Sequence, residues 1–368
     1  VYKRQVIDRR GSIETDSTLS DYTDIEHIYK RSIYPTLLFA EYNGYKLNII
    51  DTPGADDFCG GLFSAFKVAD VGVMLINAQN GFEVGSEIQA RYARSHDKPI
   101  IAVINQLDSE KASWETSLDS IRAASQVTPV VVQYPVNPGP DFNAFIDVLL
   151  MKMYKFKGDT GIREELDIPS EEMERATELN RILTEAAAEN DEALMELYFE
   201  KGVLTQDELR SGLKLGLAKR DLIPVFCASG KRDIGAKRLM EFIINVAPGP
   251  LKAPNFVTVD GREIEPDSNG PTALFVFKTT VEPHLGEVTY FRVVSGKVTE
   301  GMELVNSKTG NKEKISQLFA VAGKNRVKVT EMMAGDLGCT VKLKGTRTNQ
   351  TLSTPGSNIE IDPIRFPE

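Results

Sequence analysis

The chain has little of what builds covalent frameworks or histidine chemistry. It holds three cysteines and three histidines in 368 residues, and Cys59, Cys227 and Cys339 form no C-x-x-C pair. This usage reads as buried free thiols in a reducing, cytoplasmic setting. Positive charge is in deficit as well: Lys plus Arg total 43 against 53 acids, a formal net charge of −10. That argues against a free-standing nucleic-acid binder with a basic face, though a local basic patch stays compatible. No apolar run approaches membrane-spanning length. One motif is also missing. A search for G-x-x-x-x-G-K-[ST], the loop that cradles β- and γ-phosphates, gives nothing, because the Gly-Lys pairs at Gly230, Gly296 and Gly323 are followed by Arg232, Val298 and Asn325.

What the chain does have is a run that ends an apolar strand in a tight turn, Leu47-Asn48-Ile49-Ile50-Asp51-Thr52-Pro53-Gly54-Ala55. In nucleotide hydrolases an Asp so placed holds Mg²⁺ through water, and a Gly amide there faces the γ-phosphate. Around it, strands at Thr36–Ala40, Leu47–Ile50, Val71–Ile76, Ile100–Ile104 and Val130–Tyr134 alternate with amphipathic stretches such as Glu87–Ser95 and Trp114–Ala124. Near-continuous apolar strands of this kind predict an α/β fold, a sheet covered by helices on both faces. From Glu164 to Lys219 the pattern turns helical and acidic, with Pro169-Ser170-Glu171-Glu172 as a helix start. From Thr272 to Leu352, short β-branched runs between Gly-centred turns predict a small antiparallel β-barrel.

Two further strand ends belong with Asp51. Ile100–Ile104 runs into Asn105-Gln106-Leu107-Asp108, and an Asp there accepts both N1–H and the 2-amino group of guanine, while the Asn braces the loop. Pro224-Val225-Phe226-Cys227 runs into Ala228-Ser229-Gly230, a small-residue turn able to offer backbone N–H groups to the base oxygen. Each signal alone is weak. Three such ends in this order belong at the carboxyl edge of one sheet, where these folds bind ligands.

With these residues in view, the chain resembles the first part of elongation factor G or a close paralogue. Asp51 to Asp108 lines up without a gap with the family's stretch from D-T-P-G to N-K-x-D, the acidic helices around Ile182–Lys219 resemble its insertion, and Phe275–Lys278, Gly286, Phe291-Arg292-Val293, Ser295-Gly296 and Gly335-Asp336 resemble its second domain. The resemblance implies a P-loop GTPase-type domain over 6–252, with its helical insertion at about 156–222, a barrel over 270–353 and a linker over 354–368 toward a third domain. Because a phosphate site of this kind needs the missing glycine-rich loop and a first apolar strand, a strand, the phosphate loop and part of a helix are expected upstream of Val1, whose opening Val1-Tyr2-Lys3-Arg4-Gln5 matches no expected element. It also implies GTP or GDP held by Asp51, Thr52, Pro53, Gly54, Asn105, Gln106, Asp108, Ser229 and Gly230, Mg²⁺ at Ser32 and Asp51, and a monomeric, cytoplasmic partner of the ribosome with no membrane contact.

Three departures matter. The family's E-R-G-I-T falls on Ile28-Tyr29-Lys30-Arg31-Ser32, its N-K-x-D lysine on Gln106, and the His of D-T-P-G-H, which aligns the attacking water, on Ala55. Loss of such a positioned group typically costs on the order of 10²–10⁴ in rate. Of the three histidines, His96 in a polar helix tail and His284 in a Pro-Gly turn read as solvated, and His27 in the switch segment as a surface His of a mobile loop. The expectation is a translation factor that binds GTP with weakened hydrolysis, or a non-hydrolysing or tetracycline-resistance-type ribosomal protection paralogue. The catalytic side chain is absent in either case.

Overall fold

The computed structural model describes residues 11–283 and 285–366, so the readings placed on Val1–Gln5, on the start of the 6–252 segment and on His284 lie outside the described residues. The chain divides into two compact units, Val1–Asp70 with Gly249–Glu368, and Val71–Pro248.

In the first unit, Thr36–Tyr42 and Tyr45–Asp51 pair antiparallel along their whole length, with Thr36 opposite Asp51. Asn43 and Gly44, at φ +48° and +82°, make the two-residue turn that matches strand twist, which explains an Asn-Gly at this point. The barrel expectation holds: an antiparallel sheet of eight strands among the described residues runs from Lys312–Lys314 to Asn325–Val329. Leu274, Val276, Phe291, Val293, Leu318 and Leu352, all fully buried, form its core. Arg292, on the sheet strand Gly286–Ser295, is 4% exposed in its side chain and donates to the carbonyl of Val68 (2.6 Å) while pairing with Asp70 (2.7 Å). It thereby holds the end of the helix Cys59–Val68. Lys46 and Asn48 of the hairpin both donate to Asp336 Oδ1, at 2.6 and 3.0 Å.

In the second unit, Gly72–Asn77, Ile100–Asn105, Leu222–Cys227 and Thr128–Val131 form a parallel sheet in that order. Ile101, Ala102, Val103 and Ile104 are at most 2% exposed, so the uninterrupted apolar run reflects a strand covered on both faces. Trp114–Ala124 is a helix with the expected bounds, its first turn capped by Ser113 Oγ accepting from the Thr116 amide. The α/β alternation ends sooner than the sequence suggests. The stretch Val130–Tyr134 is not one strand: the Val132 amide donates to Val225 (2.9 Å), and the chain then leaves the sheet. Gln133–Pro135, Ala144–Asp147, Lys152–Phe156 and Arg163–Leu166 make a separate antiparallel sheet, so the insertion is β up to Leu166 and helical only from Ser170. Its helices Ser170–Ala188 and Gln206–Lys219 cross closely at Gly212, where a Cβ would stand 2.4 Å from the Ala187 carbonyl oxygen.

This second sheet is tied to the helix Ala236–Val246 by a buried ion pair. Arg238 Nε donates to Asp147 Oδ2 at 2.7 Å, with side chains 5% and 0% exposed. Gln133 Nε2 (3.1 Å) and the Leu150 amide (2.9 Å) supply the remaining bonds to this carboxylate. A buried charge left without its partner is costly, so Arg238→Ala should lower the unfolding free energy by about 3–5 kcal/mol. Urea denaturation would read this directly, and a loss below about 1 kcal/mol would mean that the pair is not desolvated as described.

Candidate functional site

The residues that the sequence assigns to the base, Asn105, Asp108, Ser229 and Gly230, are gathered at the carboxyl edge of the parallel sheet. Cys227 lies opposite Ile104, and the Ala228 amide extends the ladder to the Ile104 carbonyl at 2.9 Å. Both chains leave the sheet at this level. Asn105 Oδ1 accepts from the Gly230 amide (2.9 Å), bracing one loop on the other. Ser229, fully buried, donates its hydroxyl to Asp108 Oδ1 at 2.7 Å and accepts from the Arg232 amide at 3.1 Å. One carboxylate oxygen of Asp108 is thus oriented, and the residue is half-buried. Gln106 is exposed and takes φ +63°, a conformation unusual outside glycine, and its amide oxygen lies 3.5 Å from Gln79 Nε2.

Arg232 is a residue the sequence reading passed over, although it follows Ala228-Ser229-Gly230-Lys231 directly. Its guanidinium pairs with Asp159 (2.9 Å) and donates to the carbonyls of Pro140 (2.9 Å) and Phe142 (3.0 Å). The base loop is therefore pinned to the loops of the antiparallel sheet.

The residues assigned to the phosphates lie in the other unit: Asp51 ends a two-stranded antiparallel hairpin and not a strand of the parallel sheet, so the expectation of three strand ends on one sheet edge holds for only two of them. Asp51 ends its strand half-buried; burial raises its carboxyl above the usual range, the charges of Asp21 and Glu26 add to this, and a hydrogen bond from the Ser20 hydroxyl opposes it. The hydroxyl that lowers the Asp51 carboxyl is that of Ser20, which no local sequence signal marked; Ser32 is half-buried. Glu26 is 1% exposed. Its carboxylate accepts from the Ile33 and Tyr34 amides (3.1 and 3.2 Å) and from the Thr23 amide and hydroxyl (3.2 and 2.7 Å). Burial alone would raise this carboxyl, and these bonds outweigh it and hold it low.

Thr52 is half-buried and Pro53 buried, and Gly54 is exposed with open space where a Cβ would stand. Ala55 contributes a carbonyl, which accepts from Phe58 at 3.0 Å to close the turn Asp56–Phe58, and a methyl group without donor or acceptor. His27 does not replace the missing imidazole: its Nε2 is engaged with the Asp21 carbonyl at 3.0 Å. His96 is not freely solvated as the sequence suggested; it stacks on Tyr92 at 4.0 Å with Nδ1 3.0 Å from the Tyr92 carbonyl.

No group of three or more His, Cys, Asp or Glu converges as a metal site among the described residues. One carboxylate beside one hydroxyl, in negative surroundings, nevertheless fits a hard cation such as Mg²⁺, which takes few protein ligands and completes its shell with water and phosphate.

Comparison with known proteins agrees with this geometry. The family model of the elongation factor Tu GTP binding domain matches residues 1–249, and that of elongation factor G domain 2 matches residues 271–355. A GTP-binding domain followed by a translation-factor β-domain is the class these matches define. The chain belongs to the elongation factor G family of translational GTPases. It is 31% identical over 364 residues to elongation factor G of Thermotoga maritima, covering 97% of this chain and 53% of that protein. The Thermotoga petrophila factor is 30% identical, with 52% of its length covered. A solved structure from Thermus thermophilus superposes with a TM-score of 0.87 at 26% identity, over 100% of this chain and 53% of that one. The chain spans about half the length of the curated relatives it matches.

An ionised Asp51 raised by burial and like charge is a destabilising element in the absence of a cation. Its folded-state affinity for a proton exceeds the unfolded one, so the stability it contributes is present at low pH and lost as pH rises through its folded value. Asp51→Asn should therefore raise the thermal midpoint at pH 7 and shrink the gain at acid pH. A scan showing a lower midpoint for the variant would count against a strained carboxylate.

Proposed function

We propose that this chain is the nucleotide-binding part of an elongation factor G-type translation factor, binding GTP and GDP at the ribosome and hydrolysing GTP weakly. The observation that carries the reading is the joined pair Asn105–Gly230 and Asp108–Ser229, a braced guanine loop, alongside a residue 55 that has no group to align water. The base would be read by Asp108, with Asn105, Gln106, Ser229 and Gly230 shaping its pocket. Phosphate would meet Asp51, Thr52, Pro53 and Gly54, and Mg²⁺ would be held by Asp51 with a hydroxyl from Ser20 or Ser32.

In domain terms, 6–252 is read as the nucleotide domain, 270–353 as the barrel and 354–368 as a linker. A monomeric, cytoplasmic factor that acts on the ribosome with translocation as its role is the corresponding whole-protein reading. Ala55 favours one alternative strongly enough to keep it: a ribosome-binding paralogue, of translocase or ribosomal-protection type, whose function is binding itself.

Two measurements separate these statements. Asp108→Asn replaces a double acceptor with one donor and one acceptor, so GDP affinity should fall on the order of 10²-fold while affinity for xanthosine diphosphate, whose 2-oxo group accepts, rises. Unchanged preference for GDP would remove Asp108 from the base site. Ribosome-stimulated GTP hydrolysis by the whole protein, wild type beside Ala55→His, tests the second point. A near-background rate that rises on the order of 10-fold or more in the variant is expected. A wild-type rate already typical of translocases would show that another group positions the water.

A further inference from the structure

The second unit contains a cavity at the amino edge of its parallel sheet, the edge opposite the one where Asn105 and Ser229 meet. Its volume is about 260 Å³. Interiors seldom keep voids larger than a water molecule, and an apolar cavity of roughly 150 Å³ suffices to bind benzene. The floor is apolar and buried: Met74, Ile76, Ala102 and Leu222 from the strands and Ala90 from the helix Val84–Ser95 are each at most 9% exposed. Alanine at both 90 and 102, on facing elements, leaves the space that larger side chains would fill.

The mouth has one sign of charge. Arg94, Lys98, Lys219 and Arg220 are the charged residues of the lining, and no acid joins them. Part of this charge is already engaged. Arg220 pairs with Asp97 at 3.1 Å, and Lys219 donates to the Asn190 carbonyl at 2.8 Å. Arg94 is exposed in the last turn of its helix and makes no ion pair among the described residues. Basic residues at helix ends commonly offset the helix dipole, which accounts for Arg94 and Lys219 individually. The dipole does not account for an apolar hollow beneath them.

We propose that this cavity binds an amphipathic monoanion, an apolar body of about ten carbons lying on the strand floor with its carboxylate at Arg94 and Lys219. Apolar depth and cationic mouth each select one half of such a ligand. Water fits the floor poorly, since the side chains there offer it no hydrogen bonds, and a small polar anion would leave the floor empty. Because the cavity lies at the other edge of the sheet, its occupancy requires nothing of the guanine loop, and the inference stands apart from the proposed function.

Isothermal titration of the chain with decanoate, below its micellar range, tests this. One saturable site with a Kd of about 10–300 µM is expected for a ligand of this size. Decanol, which lacks the charge, should bind at least fivefold more weakly. Arg94→Glu, at an exposed position that leaves the fold intact, should weaken decanoate at least fivefold, and Ala90→Leu should abolish binding by filling the floor. Circular dichroism would confirm that each variant is folded. Addition of GDP should leave the decanoate affinity within twofold. No saturable binding, or binding that Arg94→Glu leaves unchanged, overturns the proposal, as does decanol binding equal to decanoate.

Discussion

The pairing of Cys227 with Ile104 sets where the loops carrying Asn105, Asp108, Ser229 and Gly230 begin. Parallel strands carry evenly spaced bonds, so two strands in register leave the sheet at the same height. Here that height is set by the Ala228 amide on the Ile104 carbonyl. The two loops therefore start side by side, and Asn105 reaches Gly230 while Asp108 reaches Ser229 without any long excursion. A slip of one residue would turn each side chain to the opposite face and separate both pairs at once. The apolar filling of Ile101–Ile104, which looks like a matter of stability alone, is also what holds this register.

Two carboxylates in the other unit show how environment divides a single chemistry. Glu26 and Asp51 are near enough to influence each other, yet the carboxyl of one is held low and that of the other is raised. Glu26 meets amides and a hydroxyl on its two oxygens, and its charge is spent on folding the turn around Ile33 and Tyr34. Asp51 has the Ser20 hydroxyl and otherwise negative neighbours. A raised group next to a lowered one is the pattern expected where one acid is structural and the other awaits a charge partner. The anchoring of this unit points the same way, since Arg292 on Val68 and Asp70, and Lys46 on Asp336, fix both flanks of the Asp51–Gly54 turn.

How legible this was in the sequence follows from the range of each contact. Strands at Ile100–Asn105 and Tyr45–Asp51, and the helix Trp114–Ala124, announce themselves by local pattern. The break at Val132 does not, because Val130 to Tyr134 is almost wholly apolar and such a run carries no period to mark where one sheet is exchanged for another. The antiparallel sheet that follows was missed for another reason: its strands Lys152–Phe156 and Arg163–Leu166 are short and rich in charge, without the β-branched run that marks a strand. Asn105, Asp108 and Ser229 were legible because each follows a strand within its own motif. Ser20 was not, since 31 positions separate it from Asp51 and only the folded chain brings them together. Arg232 lay in between: its position beside the base loop was visible, but its partners at Pro140, Phe142 and Asp159 were not.

Ala55 gains its meaning from what the turn asks of it. The turn uses the backbone of this residue, through its carbonyl and the Phe58 amide, and makes no demand on the side chain. Gly54 before it has open space where a side chain would stand. Replacing an imidazole by a methyl group therefore removes the means of aligning water without disturbing the strand, the glycine or the carboxylate that would meet the nucleotide. In the proposed reading binding would rest on backbone and on Asp51, and hydrolysis on one side chain, so the two would be separable at this position.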